Sequence, residues 1–313
     1  MPAPAAGPAL TVSGKTIQLD GQPTFLLGAS FFGALDVAYP RDQDLDTLKS
    51  WGVTVVRVWA HWGRPIYQRD GTLSPQGRAR LLQLVQRLQA RGLVLELALL
   101  RPGQLPGQHY VAFSSDAARV RAATEIASAL REYRHVLFDL YNEHDHPDGP
   151  ISHAAARVLR DAVKAVDPGR LVTISSTGTH LVTPDSRVGE AEARNLREEA
   201  SQDAGSVGVD LVAPHFPRTD DWAPSTAARV AAVRAELDRI GRNVPVYLNE
   251  ERRAEPGSEI AAEIYQRAFT SARDAGAAGW VFHTKAGYEL DKRSFVASLG
   301  ASERAALQRL KKP

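Results

Sequence analysis

Eight short runs of strand-forming residues alternate with amphipathic helical stretches along most of this 313-residue chain, and that rhythm restricts the fold more than any other feature. The runs span residues 25–30, 53–60, 93–100, 136–142, 171–176, 211–216, 244–249 and 279–284. They are rich in Val and Leu with little clean alternation, as strands are when both faces are covered. Helical spacing fills most of the gaps. In 76–91, Leu81, Leu84, Val85 and Leu88 share one face. In 116–133, behind a Ser-Ser capping signal, Val120, Ala123, Ile126, Ala127 and Leu130 do the same. Stretches 152–166, 226–240, 258–275 and 302–310 behave alike. Gly52, Gly92, Gly241 and Gly276 each follow a helical stretch, where a left-handed residue would end it. A strand–helix unit repeated eight times predicts an α/β fold, a single closed parallel (β/α)8 TIM barrel. An open doubly wound sheet is the competing arrangement. Against it, no Gly-x-Gly-x-x-Gly turn follows an early strand and no phosphate loop occurs.

The length would allow two domains or one large barrel, which commonly needs about 250 residues. No linker and no internal repeat divides the chain, so residues 10–313 are expected to form one catalytic barrel domain behind a disordered tail, residues 1–9. Residues 10–25 turn at Ser13-Gly14 and Asp20-Gly21 and predict a short β-hairpin ahead of the first barrel strand. The polar stretch 183–207 is expected to hold a helix plus loops over one rim. The first eight residues have neither a basic flank nor an apolar core, so they do not form a signal peptide. They read as a tail or as the stub of a replaced leader, which leaves the compartment open between secretion and the cytoplasm.

Lys plus Arg number 38 against 36 Asp plus Glu, with the basic residues scattered, so neither nucleic acid nor an anionic membrane is expected as a partner. No apolar stretch is long enough to cross a bilayer. The absence of cysteine excludes disulfides, a thiolate nucleophile and cysteine-ligated metals. No cofactor is expected, and the chain is expected to act as a monomer.

In a parallel barrel, function gathers at the C-terminal ends of the strands. Strand two delivers Arg57, Trp59, His61 and Trp62 there, strand three Arg101, and strand four Asn142-Glu143 followed by His144-Asp145-His146. Strand six delivers His215, strand seven Asn249-Glu250-Glu251, and strand eight Trp280 and His283. Acids at the ends of apolar strands need a partner or a task. Two carboxylates facing one pocket are the minimum equipment for cleaving a glycosidic bond. Indoles stack on the apolar faces of sugar rings, while charged and amide groups bind hydroxyls. Alternation turns Glu251 away from the side of Glu250, towards Arg252 or Arg253. His144 and His146 share one face of an extended segment and could bind a metal together with His215 and Glu143; the simpler reading is a solvated loop. Three functions remain open on the residues alone: a glycosidase, a metal-dependent barrel enzyme, and a barrel that binds carbohydrate without turnover.

The chain resembles the glycoside hydrolases of clan A, most of all family 5, the cellulase and mannanase type. The resemblance runs through the opening segment from Gly14 to Ser30, the strand Gly52-Val53-Thr54-Val55-Val56-Arg57, the pair Asn142-Glu143, His215, and Glu250 five residues after Pro245. It implies a retaining two-glutamate mechanism on β-linked glycosides or polysaccharides. Glu250 would be the nucleophile, Glu143 the acid/base, Arg57 the brace of the catalytic carboxylate and Asn142 the holder of the sugar 2-hydroxyl. His215, Trp59, Trp62, Trp280 and His283 are the further substrate-binding candidates. Such carboxyl groups lie about 5 Å apart, against roughly 6.5–9.5 Å in an inverting enzyme. Three positions depart from the family pattern: Arg101 where a histidine is usual, Pro217 where a tyrosine follows the strand-six histidine, and His283 where a tryptophan platform is usual. These bear on the choice of sugar.

Overall fold

The computed structural model describes residues 7–36, 42–101, 112–178, 190–255 and 257–310. The chain enters through an antiparallel meander of three strands, β1 (Leu10–Ser13), β2 (Thr16–Leu19) and β3 (Gln22–Pro23), where a two-stranded hairpin was expected. Both expected turns are present, with Gly14 and Gly21 at φ 57° and 75°. Ala9 is tied to Asp20, its N–H donating to Oδ1 at 2.8 Å. Residues 1–6 of the expected tail lie outside the described residues.

The barrel strands follow: β4 (Leu26–Ser30), β5 (Val55–Trp59), β6 (Val94–Ala98), β7 (Val136–Asp139), β8 (Leu171–Thr173) continued by β9 (Ser175–Ser176), β10 (Ala213–Pro214), β11 (Tyr247–Leu248) and β12 (Gly279–Phe282). Seven of them pair in one parallel sheet in the order β11-β12-β4-β5-β6-β7-β8. The ring closes through β9, which pairs in parallel with β10, and through a parallel bridge from Val212 to Val246 just ahead of β11. Helices α1 (Asp42–Ser50), α2 (Pro75–Gln89), α3 (Asp116–Ala129), α4 (His153–Val166), α5 (Glu190–Ser201), α6 (Trp222–Arg239), α7 (Ala262–Asp274), α8 (Phe295–Ser298) and α9 (Ala301–Arg309) complete the chain. The hydroxyls of Ser74, Ser115 and Ser152 accept from the N–H groups of Gly77, Ala118 and Ala155, which caps α2, α3 and α4. The four glycines expected to end helices all have positive φ. A π-helical turn, Gln202–Val207, prolongs α5 in the stretch expected to hold a helix and loops; residues 183–189 of that stretch lie outside the described residues. No described helix is long and apolar enough to cross a membrane.

Strand alternation sorts the core. Leu26, Val55, Val94, Leu137, Leu211, Tyr247 and Val281 make a small inner cluster, closed from below by Leu10 and Ile17 of the meander. Their neighbours one residue on, among them Leu27, Val56, Leu95, Phe138, Leu248 and Phe282, belong to the larger cluster shared with the helices. The next inward layer is polar: Arg57, Glu96, Asp139, Thr173 and Asn249 are all fully buried. A barrel interior that turns from apolar to charged on the way up carries its chemistry at the top.

Candidate active site

Arg57 follows Val55 by two residues and therefore also points inward. Its Nη1 donates to Glu250 Oε2 at 2.6 Å, and its Nη2 to Asp139 Oδ2 at 2.7 Å and Asn142 Oδ1 at 2.8 Å. Its Nε lies 2.9 Å from Glu96 Oε1. Glu96 also accepts from the Tyr247 hydroxyl and the Asn249 amide, each at 2.7 Å. Three carboxylates thus share one buried cation. Burial pushes Glu96 up to about 7, against the pull of Arg57.

Glu250 is the member of this hub that reaches the surface of a cavity. Its Oε1 accepts from Arg218 Nη2 at 2.7 Å and lies 3.7 Å from His283 Nε2. Burial alone would raise its carboxyl. His283, His215, Arg57 and Arg218 outweigh that and hold it well below the usual carboxylate range. His283 is itself held far below its usual range by burial, so at neutral pH the permanent guanidinium charges of Arg57 and Arg218 keep Glu250 ionised.

Glu143 has φ 54°, a left-handed conformation that costs a side-chain-bearing residue on the order of 1–2 kcal/mol. Two bonds to β9 hold this turn: the Glu143 N–H donates to Ser175 Oγ at 3.2 Å, and the His144 N–H to the Ser175 carbonyl at 2.9 Å. The turn brings the Glu143 carboxylate to His215, whose Nδ1 lies 3.2 Å from Oε1. One carboxylate oxygen from each of Glu143 and Glu250 and a ring nitrogen of His215 all lie within 4.8 Å of one another. The same three donors could hold a cation.

Glu143 and Glu250 face a cavity of about 300 Å³, which Asn142, Trp59, Trp62, Arg218, Arg253 and Tyr288 also line. Five of the nine residues expected at the site therefore line one cavity. Arg57, His215 and His283 do not. They are fully buried behind it and touch the glutamates rather than the open space. Trp280 is elsewhere: it is fully buried and packs edge-on against Phe269 of α7, at 5.8 Å between ring centroids. It has the outward parity of Phe282, so it cannot be a sugar platform. Trp59 lines the cavity with both ring faces covered. Phe32 stacks on it at 3.7 Å and 8°, and the Arg57 guanidinium sits 4.4 Å from the ring centroid, distances at which the two cannot share a face. Its Nε1 donates to Asn142 Oδ1 at 3.1 Å. Trp62, held by a bond from Nε1 to the Tyr288 carbonyl, and Tyr288 also line the cavity, with their ring centroids 4.6 Å apart.

The metal alternative built on His144, His146, His215 and Glu143 is not assembled. His146 lines the cavity, whereas His144 turns away and is buried against Glu199 rather than forming a solvated loop. Glu251 turns away from Glu250 as expected, but its partner is the Trp222 indole at 2.6 Å rather than an arginine. Arg218, Arg253, Tyr288, Glu96 and Asp139 were not anticipated. Glu96 and Asp139 carry the same signal as Arg57, a charge inside an apolar strand. Arg218 and Tyr288 lie beyond strand ends and carry no signal of that kind.

Residues 10–231 match the family model for Cellulase, glycosyl hydrolase family 5. No curated protein matches the sequence. Among solved structures the fold is similar to the endo-1,4-beta-mannanase from Rhizomucor miehei, with 15% identity over 88% of this chain and 90% of that one and a TM-score of 0.63. It is likewise similar to the hyperthermostable endo-1,4-beta-D-mannanase from Thermotoga petrophila, with 15% identity over 91% and 98% and a TM-score of 0.63. A GH5_18 protein from Streptomyces cattleya in complex with Manb1-4GlcNAc gives 18% identity over 92% and 80% and a TM-score of 0.66. Those identities speak for the fold alone. The family match covers well over half of the chain and does more: together with the paired glutamates at the top of a (β/α)8 barrel, it makes this chain a glycosidase belonging to glycosyl hydrolase family 5.

Proposed function

We propose that the protein hydrolyses β-linked glycosides with retention of anomeric configuration, Glu250 acting as nucleophile and Glu143 as acid/base. The observation that carries this reading is the approach of the two carboxylates to within 4.8 Å, oxygen to oxygen. A retaining pair needs about 5–5.5 Å between its carboxyl groups, and an inverting pair needs roughly 6.5–9.5 Å to admit a water.

Glu250, kept ionised by Arg57 and Arg218, attacks the anomeric carbon. Protonated Glu143 gives its proton to the departing oxygen as the glycosidic bond breaks. Glu143, now a carboxylate, takes a proton from water, which attacks the glycosyl–Glu250 ester and restores the free enzyme. Asn142 Oδ1 is occupied by Arg57 and Trp59, which leaves its amide N–H groups as the donors offered to a sugar hydroxyl. His215 lies 3.2 Å from Glu143 and 4.0 Å from Glu250 and so holds the two acids in mutual register.

The test is a panel of aryl β-glycosides, with mannosides first because several proteins of similar fold are mannanases. Proton NMR then reads the anomer released first. Azide should rescue Glu250→Gly and yield a glycosyl azide of inverted configuration. A first product of inverted configuration, or azide rescue of Glu251→Gly in place of Glu250→Gly, would defeat the assignment.

A further inference from the structure

Outside the catalytic cavity, four side chains with metal-binding atoms converge beneath the Glu143 turn. His144 follows Glu143 directly. His153 opens α4, Glu199 lies in the last turn of α5, and Asp203 is on the π-turn that follows it. One ligand atom from each lies within 4.8 Å of all the others. His144 Nδ1 faces the Ile151 carbonyl at 3.2 Å and so carries its proton there, because a carbonyl can only accept. That bond orients the ring and leaves Nε2 as the inward atom, which donates to Glu199 Oε1 at 2.6 Å and would give up that proton to an arriving ion. A metal-binding histidine is typically oriented by such a bond from its other nitrogen. His153 Nε2 lies 3.6 Å from both Glu199 Oε1 and Asp203 Oδ1.

Independent of that clustering, Asp203 is 1% exposed, and its Oδ1 has no hydrogen-bond partner among the described residues although it points into the cluster. His153 Nε2 likewise has none. The His153–Asp203 contact is an ion pair longer than a hydrogen bond, and a cation bound between the two would serve the buried carboxylate oxygen at closer range.

We propose that His144, His153, Glu199 and Asp203 bind one divalent transition-metal ion, zinc matching best, as a clamp that fixes the turn carrying Glu143. Two imidazoles and two carboxylates balance a doubly charged ion and are a zinc-type donor set in a chain without cysteine. With metal–ligand bonds of about 2.0–2.2 Å, a tetrahedral site spaces its donors by about 3.4 Å. The two 3.6 Å separations are already near that value, and the His144–Glu199 contact must open by less than about 1 Å. A surface depression lined by His153, Asn195, Glu198, Glu199 and Gln202 gives the ion a way in. The clamp would join the turn after β7 to α4, α5 and the π-turn.

The experiment strips metal from the whole protein with a chelator, returns zinc chloride, and follows calorimetric binding and thermal midpoint. It is run on the natural sequence, His153→Gln, Asp203→Asn and Glu143→Gln. His153 is the most exposed of the four and opens a helix, so its replacement should disturb the fold least. One zinc per chain with a raised midpoint is expected for the natural sequence and for Glu143→Gln. Loss of His153 or Asp203 should weaken binding by more than the roughly 10–100-fold that loss of an outer partner costs. Absence of binding to the natural sequence, undiminished binding in both ligand variants, or loss of binding in Glu143→Gln (which would place the ion in the catalytic cavity) would each overturn the proposal.

Discussion

Arg57→Met removes the cation on which the upper barrel is assembled. The guanidinium is fully buried and lies within 2.9 Å of carboxylate oxygens from Glu96, Asp139 and Glu250. Methionine replaces part of the stem but no charge, so three acids are left facing one another out of water. Stripping one partner from a buried ion pair costs about 3–5 kcal/mol, and proton uptake by the acids limits the loss to that range rather than a multiple of it. Unfolding entropy of roughly 2 cal/mol/K per residue makes each kcal/mol worth about 1.5 °C in a chain of this length, so the thermal midpoint should fall by about 5–8 °C at pH 7. The fall should shrink at pH 5, where the orphaned acids protonate more readily. Turnover should suffer separately, because Glu250 loses the donor on Oε2; about 100-fold or more in kcat/KM is expected, which corresponds to roughly 2.7 kcal/mol of barrier. The double variant Arg57→Met/Glu96→Gln separates the two effects. It removes one surplus charge and should regain part of the stability, while Glu250 remains unbraced and activity stays low. Scanning calorimetry and aryl glycoside hydrolysis read the two quantities. A midpoint within about 1 °C of the natural protein would show that the hub is not held by this charge. Recovery of activity together with stability in the double variant would show that Arg57 acts on the fold and not on Glu250.

Glu96→Gln should flatten the dependence of stability on pH. The folded carboxyl sits at about 7 while the unfolded one titrates near 4.5, so the folded state holds the extra proton between those values. Its stabilising contribution is full below the unfolded value and is lost as pH rises through 7, on the order of 3 kcal/mol in total; urea melts at pH 5 and pH 8 compare the natural protein with the variant. Arg218→Ala removes a permanent charge 2.7 Å from Glu250 Oε1, so the acid limb of kcat/KM, where Glu250 as the proposed nucleophile protonates, should move to higher pH. An unmoved limb in a pH–rate profile would mean that Arg218 does not set the state of Glu250. Trp222→Phe takes the indole donor from buried Glu251 Oε2, and about 1–3 kcal/mol of stability should go with it, measured by denaturant unfolding, while the acid limb stays in place.

The fold was legible because its signals are local. Each of the eight strands and most of the helices came from residues adjacent in sequence, since periodicity and capping hydroxyls act within a few positions. The error at α6 has the same origin. The helix was expected to begin at 226, but it begins at Trp222 and carries Pro224 in its first turn, where a missing N–H costs nothing. Tertiary contact decided it: the Trp222 indole reaches across to Glu251 on the neighbouring strand end. The third strand of the meander was missed because two residues, Gln22 and Pro23, are too few to carry a pattern.

At the site, alternation gives correct directions for as long as the strand lasts. Arg57, Glu96 and Asp139 all lie two residues from an inward apolar neighbour on the same strand, namely Val55, Val94 and Leu137. Trp280 was misplaced although the same rule would have excluded it, for Val281 is the inward residue of that strand. Beyond the strand the rule has nothing to act on. β11 stops at Leu248, and the two residues after it both turn to the hub, Asn249 to Glu96 and Glu250 to Arg57. β7 stops at Asp139, and the left-handed backbone of Glu143 sends its carboxylate to the cavity while His144, next in line, goes into the barrel wall. Sequence therefore announced which acids arrive at the mouth, but their aim depends on backbone turns held by partners distant in the chain, such as Ser175 for Glu143. The strain at Glu143 follows from the same arrangement. A regular continuation of β7 would not make the left-handed turn at Glu143, and it is with that turn that the Glu143 carboxylate comes within 4.8 Å of Glu250 across one cavity.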